Sequence, residues 1–146
     1  MTNDIIKAIA KALNDSFGSE CKVYTEDIPQ GFEEPCFSII PVMSDLYPKL
    51  PNRYLNRNKF DIRYFPKEEL RKRHEMLSVG EFLFLSLEYI NVLDNLCRGT
   101  KMSYEIIDGV LHFFVNYDMF VTKNVVKESS METLEHKPTL EVNNGN

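Results

Sequence analysis

A nucleophile needs an activating base within reach, and the pairs this chain can offer are Cys97 with His74, His112 or His136. Cys97 sits in Leu-Cys-Arg-Gly, where a cysteine behind a leucine reads as a small core residue. Arg98 alone does not create the electropositive, half-open setting that a reactive thiolate requires. His112 falls in a strand directly opposite Glu105, so a cross-strand contact accounts for its polarity. The acidic pairs Glu33-Glu34 and Glu68-Glu69 belong to a loop and to the first turn of a helix, where solvation and the helix dipole explain them. Cys21, Cys36 and Cys97 are odd in number and widely spaced, without a CxxC pair. That pattern indicates neither a zinc site nor a disulfide framework, and it suits a reducing compartment. GxGxxG, Walker, HExxH and GxSxG motifs are absent. The residues predict no catalytic set, no metal and no cofactor.

Charge distribution is more informative. Residues 49–73 contain nine basic side chains and three acidic ones, a local charge of +6. The whole chain carries −5, so the remainder carries −11. A positive segment on an otherwise negative protein suits head-to-tail self-association, in which each subunit offers one face to the complementary face of its neighbour. A solvated strand edge is the plainer reading of the same charges. A single-stranded nucleic-acid groove is a third, because Tyr47, Tyr54 and Phe65 are interleaved with the basic residues as stacking platforms would be.

These residues are carried by recognisable elements. Ile5, Ile9, Leu13 and Phe17 recur every four positions and predict an amphipathic helix, with Thr2 or Asn3 as cap, Asp4 at its positive end and Gly18 as its stop. Residues 22–27 and 37–43 read as strands joined through Pro29, Gly31 and Pro35. Six of the seven prolines lie between positions 29 and 66, which excludes a long helix there. Residues 44–58 are polar, contain Pro48 and Pro51, and read as a long functional loop able to reach a neighbouring subunit. Phe60, Ile62 and Tyr64 alternate with polar residues as a half-buried strand. A second helix opens at Glu68-Glu69 and runs to about Tyr89. Its apolar positions surround the axis toward the C-terminal end, which predicts cover on more than one side.

Asp108-Gly109 between two β-rich runs is the sharpest local signal and predicts a two-residue type I′ hairpin. Its register pairs Ile106 with Leu111, Tyr104 with Phe113 and Met102 with Val115, all on one face. The second strand continues through Tyr117, Met119 and Val121. The predicted fold is α+β, an antiparallel sheet of about four to five strands with two main helices packed on one face. Residues 1–122 form the domain and 123–146 a flexible C-terminal tail, where apolar density falls away.

The 146 residues are 43% hydrophobic and 27% charged. That length supports a single domain, and folding buries roughly 68–70% of the surface of a chain of this size. The longest apolar stretch, 79–96, is interrupted by Glu81, Glu88 and Asp94, so no bilayer span is expected. Asp4, Lys7 and Lys11 stand where a signal peptide needs an apolar run.

Several blocks together resemble the small tail terminator family of tailed phages and phage-derived particles: NDIIKAIAKAL at 3–13, EDIPQGFEEPCF at 26–37, NRY at 52–54, FDIRYFP at 60–66, LEYI at 87–90 and RGTKMSYEIIDGVLHFFVNYDMFV at 98–121. The resemblance covers residues 3 to about 121. It implies a structural protein: helices on one face of an antiparallel sheet, assembled as a ring, typically a homo-hexamer, that caps the tail tube and ends its polymerisation. It also implies tail tube and head-tail connector proteins as partners, and DNA passing through the lumen without specific binding. Assembly is then in the bacterial host cytoplasm, and the final position is the head-proximal end of the virion tail. A head-tail connector or other tail accessory protein is the alternative within that class, and a single-stranded nucleic-acid-binding module the alternative outside it. From charge and loop position alone, Tyr47, Lys49, Arg53, Tyr54, Arg57, Arg63, Arg71, Lys72 and Arg73 are the expected subunit or tube contacts, with Arg53 and Arg57 forking onto carboxylates across a subunit boundary.

Overall fold

The computed structural model describes residues 1–67, 70–124 and 139–143. The first element, α1 (Thr2–Phe17), follows from the four-residue stripe: Ile5, Ile9 and Leu13 are fully buried. Its cap differs from expectation. Met1 occupies the N-cap position with no side-chain cap, and Asp4 lies 3.4 Å from the terminal amine. Gly18, at φ 77°, ends the helix.

The chain then forms β1 (Lys22–Tyr24), β2 (Cys36–Leu50) and β3 (Arg53–Phe65), crosses to α2 (Lys72–Ser86), and continues through β4 (Tyr89–Val92), β5 (Asn95–Ile107), β6 (Val110–Asn124) and β7 (Thr139–Asn143). Six strands lie in the order β1-β2-β3-β6-β5-β4, and β7 pairs with the end of β6. The predicted four or five antiparallel strands are thus too few. The sheet is also mixed, because β1 runs parallel to β2. The class, α+β with two helices, is as expected.

Both helices share one core with one face of the sheet. The α1 helix packs on β1 and β2 near one edge and on β4 at the other, so the sheet curls around it as a half-barrel. Rings tie the layers together: Phe17 of α1 lies 4.9 Å from Phe37 of β2, and Phe84 of α2 lies 5.4 Å from Phe113 of β6.

The hairpin at Asp108-Gly109 forms with φ of 50° and 76°, the double positive φ of a type I′ turn. Ile106 pairs with Leu111 and Tyr104 with Phe113, as the alternation predicts. The third expected pair, Met102 with Val115, does not form, because the ladder shifts register between Thr100 and Ser103, with Lys101 at φ 50°. His112 does stand opposite Glu105, but its Nδ1 lies 3.0 Å from Asp61 of β3. The partner is the carboxylate on the other neighbouring strand, 51 residues away in sequence.

The helix expected from 68 to 89 is shorter, Lys72–Ser86; Glu68 and Glu69 lie outside the described residues. The chain leaves the helix because Tyr89–Val92 pairs with β5 through a tight turn at Leu93-Asp94, both with positive φ. Of the expected C-terminal tail, residues 125–138 and 144–146 lie outside the described residues. All three cysteines are buried as free thiols, and burial pushes Cys21 up to about 12 and Cys97 up to about 11. Protonated, enclosed thiols behave as core residues, the role assigned to Cys97 from its neighbours.

Candidate functional site

The segment read as a loop, 44–58, is instead the distal half of a long hairpin. β2 and β3 pair from Cys36↔Phe65 out to Leu50↔Arg53. Pro51-Asn52 closes the tip with Asn52 at φ 64°, the Pro-Asn order that a type II turn accommodates. From residue 58 toward the tip, β2 and β3 carry a polar ladder on the helix-side face, while Tyr117, Met119 and Val121 of the neighbouring β6 stay buried beside it. Ser44 Oγ donates to Asn58 Oδ1 at 2.8 Å, and Asn58 Nδ2 donates to Asn56 Oδ1 at 2.7 Å and to the Tyr117 carbonyl at 3.2 Å. Asn56 Nδ2 donates to the Asp45 carbonyl at 3.0 Å. Asn58 is 1% exposed, and these partners satisfy its amide. The internal hydrogen bonds let β3 bury these amides beside the apolar residues of β6.

On the opposite face, cations lie over aromatic rings along β3. The Arg53 guanidinium lies 4.9 Å from the Phe120 ring centre, Arg57 is 4.2 Å from that of Tyr47, and Lys59 Nζ is 5.3 Å from that of Phe114. Arg57 also forks onto Asp45 through Nε (3.0 Å) and Nη2 (2.8 Å). Those hydrogen bonds hold the Asp45 carboxyl below the usual carboxylate range. On its other side Arg57 pairs in register with Asp118, whose carboxyl is pushed up chiefly by burial, with Arg57 opposing. The fork expected to reach across a subunit boundary is therefore occupied within the chain. Arg63 Nε donates to Asp61 at 3.1 Å, and Asp61 also meets His112, which makes this carboxylate a cross-link between β3 and β6.

The expected contact residues divide into groups. Tyr47, Lys49, Arg53, Tyr54 and Arg57 are together on the hairpin arm. Arg63 is six residues further along β3, about 20 Å from Arg57 at the rise of an extended strand. Arg71, Lys72 and Arg73 stand at the start of α2, after the chain has left the sheet. The +6 segment is thus a line along β3 continuing to a helix start, not one compact patch.

Of the arm's exposed apolar side chains, only Tyr47 was among the expected contacts. Val42, Met43, Leu46, Tyr47 and Leu50 are all substantially exposed, Leu50 at 63%. Their signal was present as Leu46, Tyr47 and Leu50 spaced through a segment otherwise read as polar. Among the described residues no cluster of His, Cys, Asp and Glu can hold a metal ion, and no helix is long and apolar enough to cross a membrane. The arm offers ion pairs, stacked cations and exposed apolar surface, the components of a protein contact.

No curated protein sequence matches the chain. The family model described as phage tail terminator protein matches residues 4–129.

Proposed function

Because the chain belongs to the phage tail terminator family, we propose that it ends tail-tube growth as a closed homo-oligomeric ring, a hexamer, seated on the tube end. Membership in that family makes this a protein of phage tail assembly and completion. The match over residues 4–129 is the observation that carries the proposal, since it spans both helices and strands β1 to β6.

A ring capping a tube needs a contact to each neighbour, a contact to the tube and a face for head-tail connector proteins. Tyr47, Lys49, Arg53 and Tyr54 on the arm, with Arg63 and the Arg71–Arg73 segment, serve the neighbour and the tube in this reading. Arg57 serves indirectly, by holding Asp45 and stiffening the arm. DNA passes through the lumen without specific binding. Assembly takes place in the host cytoplasm, and the ring remains at the head-proximal end of the tail.

Electron microscopy of the purified protein, alone and with assembled tail tube, tests the proposal. Rings at tube ends are expected. Monomers that bind single-stranded DNA with steep salt dependence would replace it with the nucleic-acid reading.

A further inference from the structure

Among the described residues, eleven of the fourteen exposed large apolar side chains fall in two segments. Single exposed leucines need no explanation, but clusters of them mark interaction surfaces. One cluster is the arm, with Met43, Tyr47 and Leu50 on the face away from the helices, Val42 at the bulge and Leu46 on the helix-side face. The other runs from α2 into the β4–β5 hairpin and includes Leu77, Phe82, Leu85, Tyr89 and Leu93. We propose that these two surfaces are complementary, the arm of one copy seating on the α2–β4–β5 segment of the next. This rests on the ring reading above and names the surfaces that would close the ring.

Three observations support the second copy as occupant. Residues 41–59, the arm, carry +3, and residues 77–98 carry −2, with Glu81, Glu88 and Asp94 set against Arg98, which pairs with Glu88 at 3.4 Å. Two arms would repel each other, whereas an arm and the acidic segment attract. Second, α2 is apolar on two sides. Met76 and Leu83 are buried in the core, while Leu85 is 74% exposed. Third, Leu93 occupies the β4–β5 turn at φ 50° and is 60% exposed. A leucine held in left-handed backbone is strained, and strain of this kind collects at functional positions. Because the two surfaces are different parts of one chain, their contact is head-to-tail, the kind that closes a ring.

Charge exchange tests the pairing. One variant combines Lys49→Glu with Arg53→Glu, and a second combines Glu81→Lys with Asp94→Lys. Each alone is expected to associate at least about 30-fold more weakly than wild type in sedimentation velocity. Mixed in equal amounts, they should recover association, because reversed arm meets reversed platform and native meets native in alternating rings. Circular dichroism checks folding, and Lys49→Glu alone, at an exposed position, serves if a double variant is unfolded. Wild-type rings with unaffected variants would overturn the pairing and leave the ring standing. Weakened variants that do not rescue each other would also overturn it, as would variant rings that fail only to seat on tubes, which would assign the arm to the tube protein. Wild-type protein that forms no ring, alone or with tube, would overturn both.

Discussion

The phenolic hydroxyl of Tyr117 donates a 2.6 Å hydrogen bond to the carbonyl of Leu87, tying the middle of β6 to the residue that closes α2. Both side chains are fully buried. Removing the hydroxyl in Tyr117→Phe takes the tyrosine's hydrogen bond from a buried carbonyl, a loss of about 1–3 kcal/mol. Urea denaturation followed by circular dichroism should show a lower midpoint with an unchanged slope. An unchanged midpoint would mean the bond contributes nothing to stability.

Gly99 sits against the same carbonyl. A Cβ there would stand 2.8 Å from Leu87 O and 2.9 Å from Val115 Cγ2, and the first of these is backbone that cannot rotate away. Gly99→Ala should therefore cost about 1–3 kcal/mol through displacement of the α2–β4 connection. Thermal unfolding measures it, and a neutral alanine would show that this connection shifts freely.

Arg57 stands between Asp45 and Asp118. Arg57→Glu would place three carboxylates in a row across β2, β3 and β6, so the arm should loosen while the core stays intact. Amide hydrogen exchange is expected to accelerate in residues 44–58 and to remain slow in 111–117. Uniform acceleration would show that arm and core unfold together.

Burial raises the pKa of Asp118, with Arg57 and Lys101 opposing. A carboxyl whose folded pKa exceeds its unfolded value, about 3.9, penalises the fold when ionised. The penalty is present above the folded pKa and gone below the unfolded one. Asp118→Asn should therefore stabilise the protein at pH 7, and the difference from wild type should shrink as pH falls toward 4. Melting temperatures across that range decide it; destabilisation at pH 7 would mean the pairing with Arg57 outweighs burial.

Local backbone chemistry was legible without a structure. The α1 stripe, the Gly18 stop and the Asp108-Gly109 turn each depend on residues within a few positions of one another. The β4–β5 turn was not legible, because Leu93-Asp94 takes positive φ without a glycine to announce it. The arm was not legible either. Its helix-side face interrupts Leu46 with Ser44, Asn56 and Asn58, so apolar alternation does not mark it as a strand, and its place in the sheet comes from the ladders that β3 forms with β2 and β6.

The class, the position of the basic segment and the family resemblance follow from residue order alone. What the charges do depends on the fold. Asp61 meets His112 across 51 positions, and Asp45 takes the Arg57 fork that a neighbour was expected to receive. A side chain's charge belongs to its residue, but its partner is set by strand order and register, which bring together residues far apart along the chain.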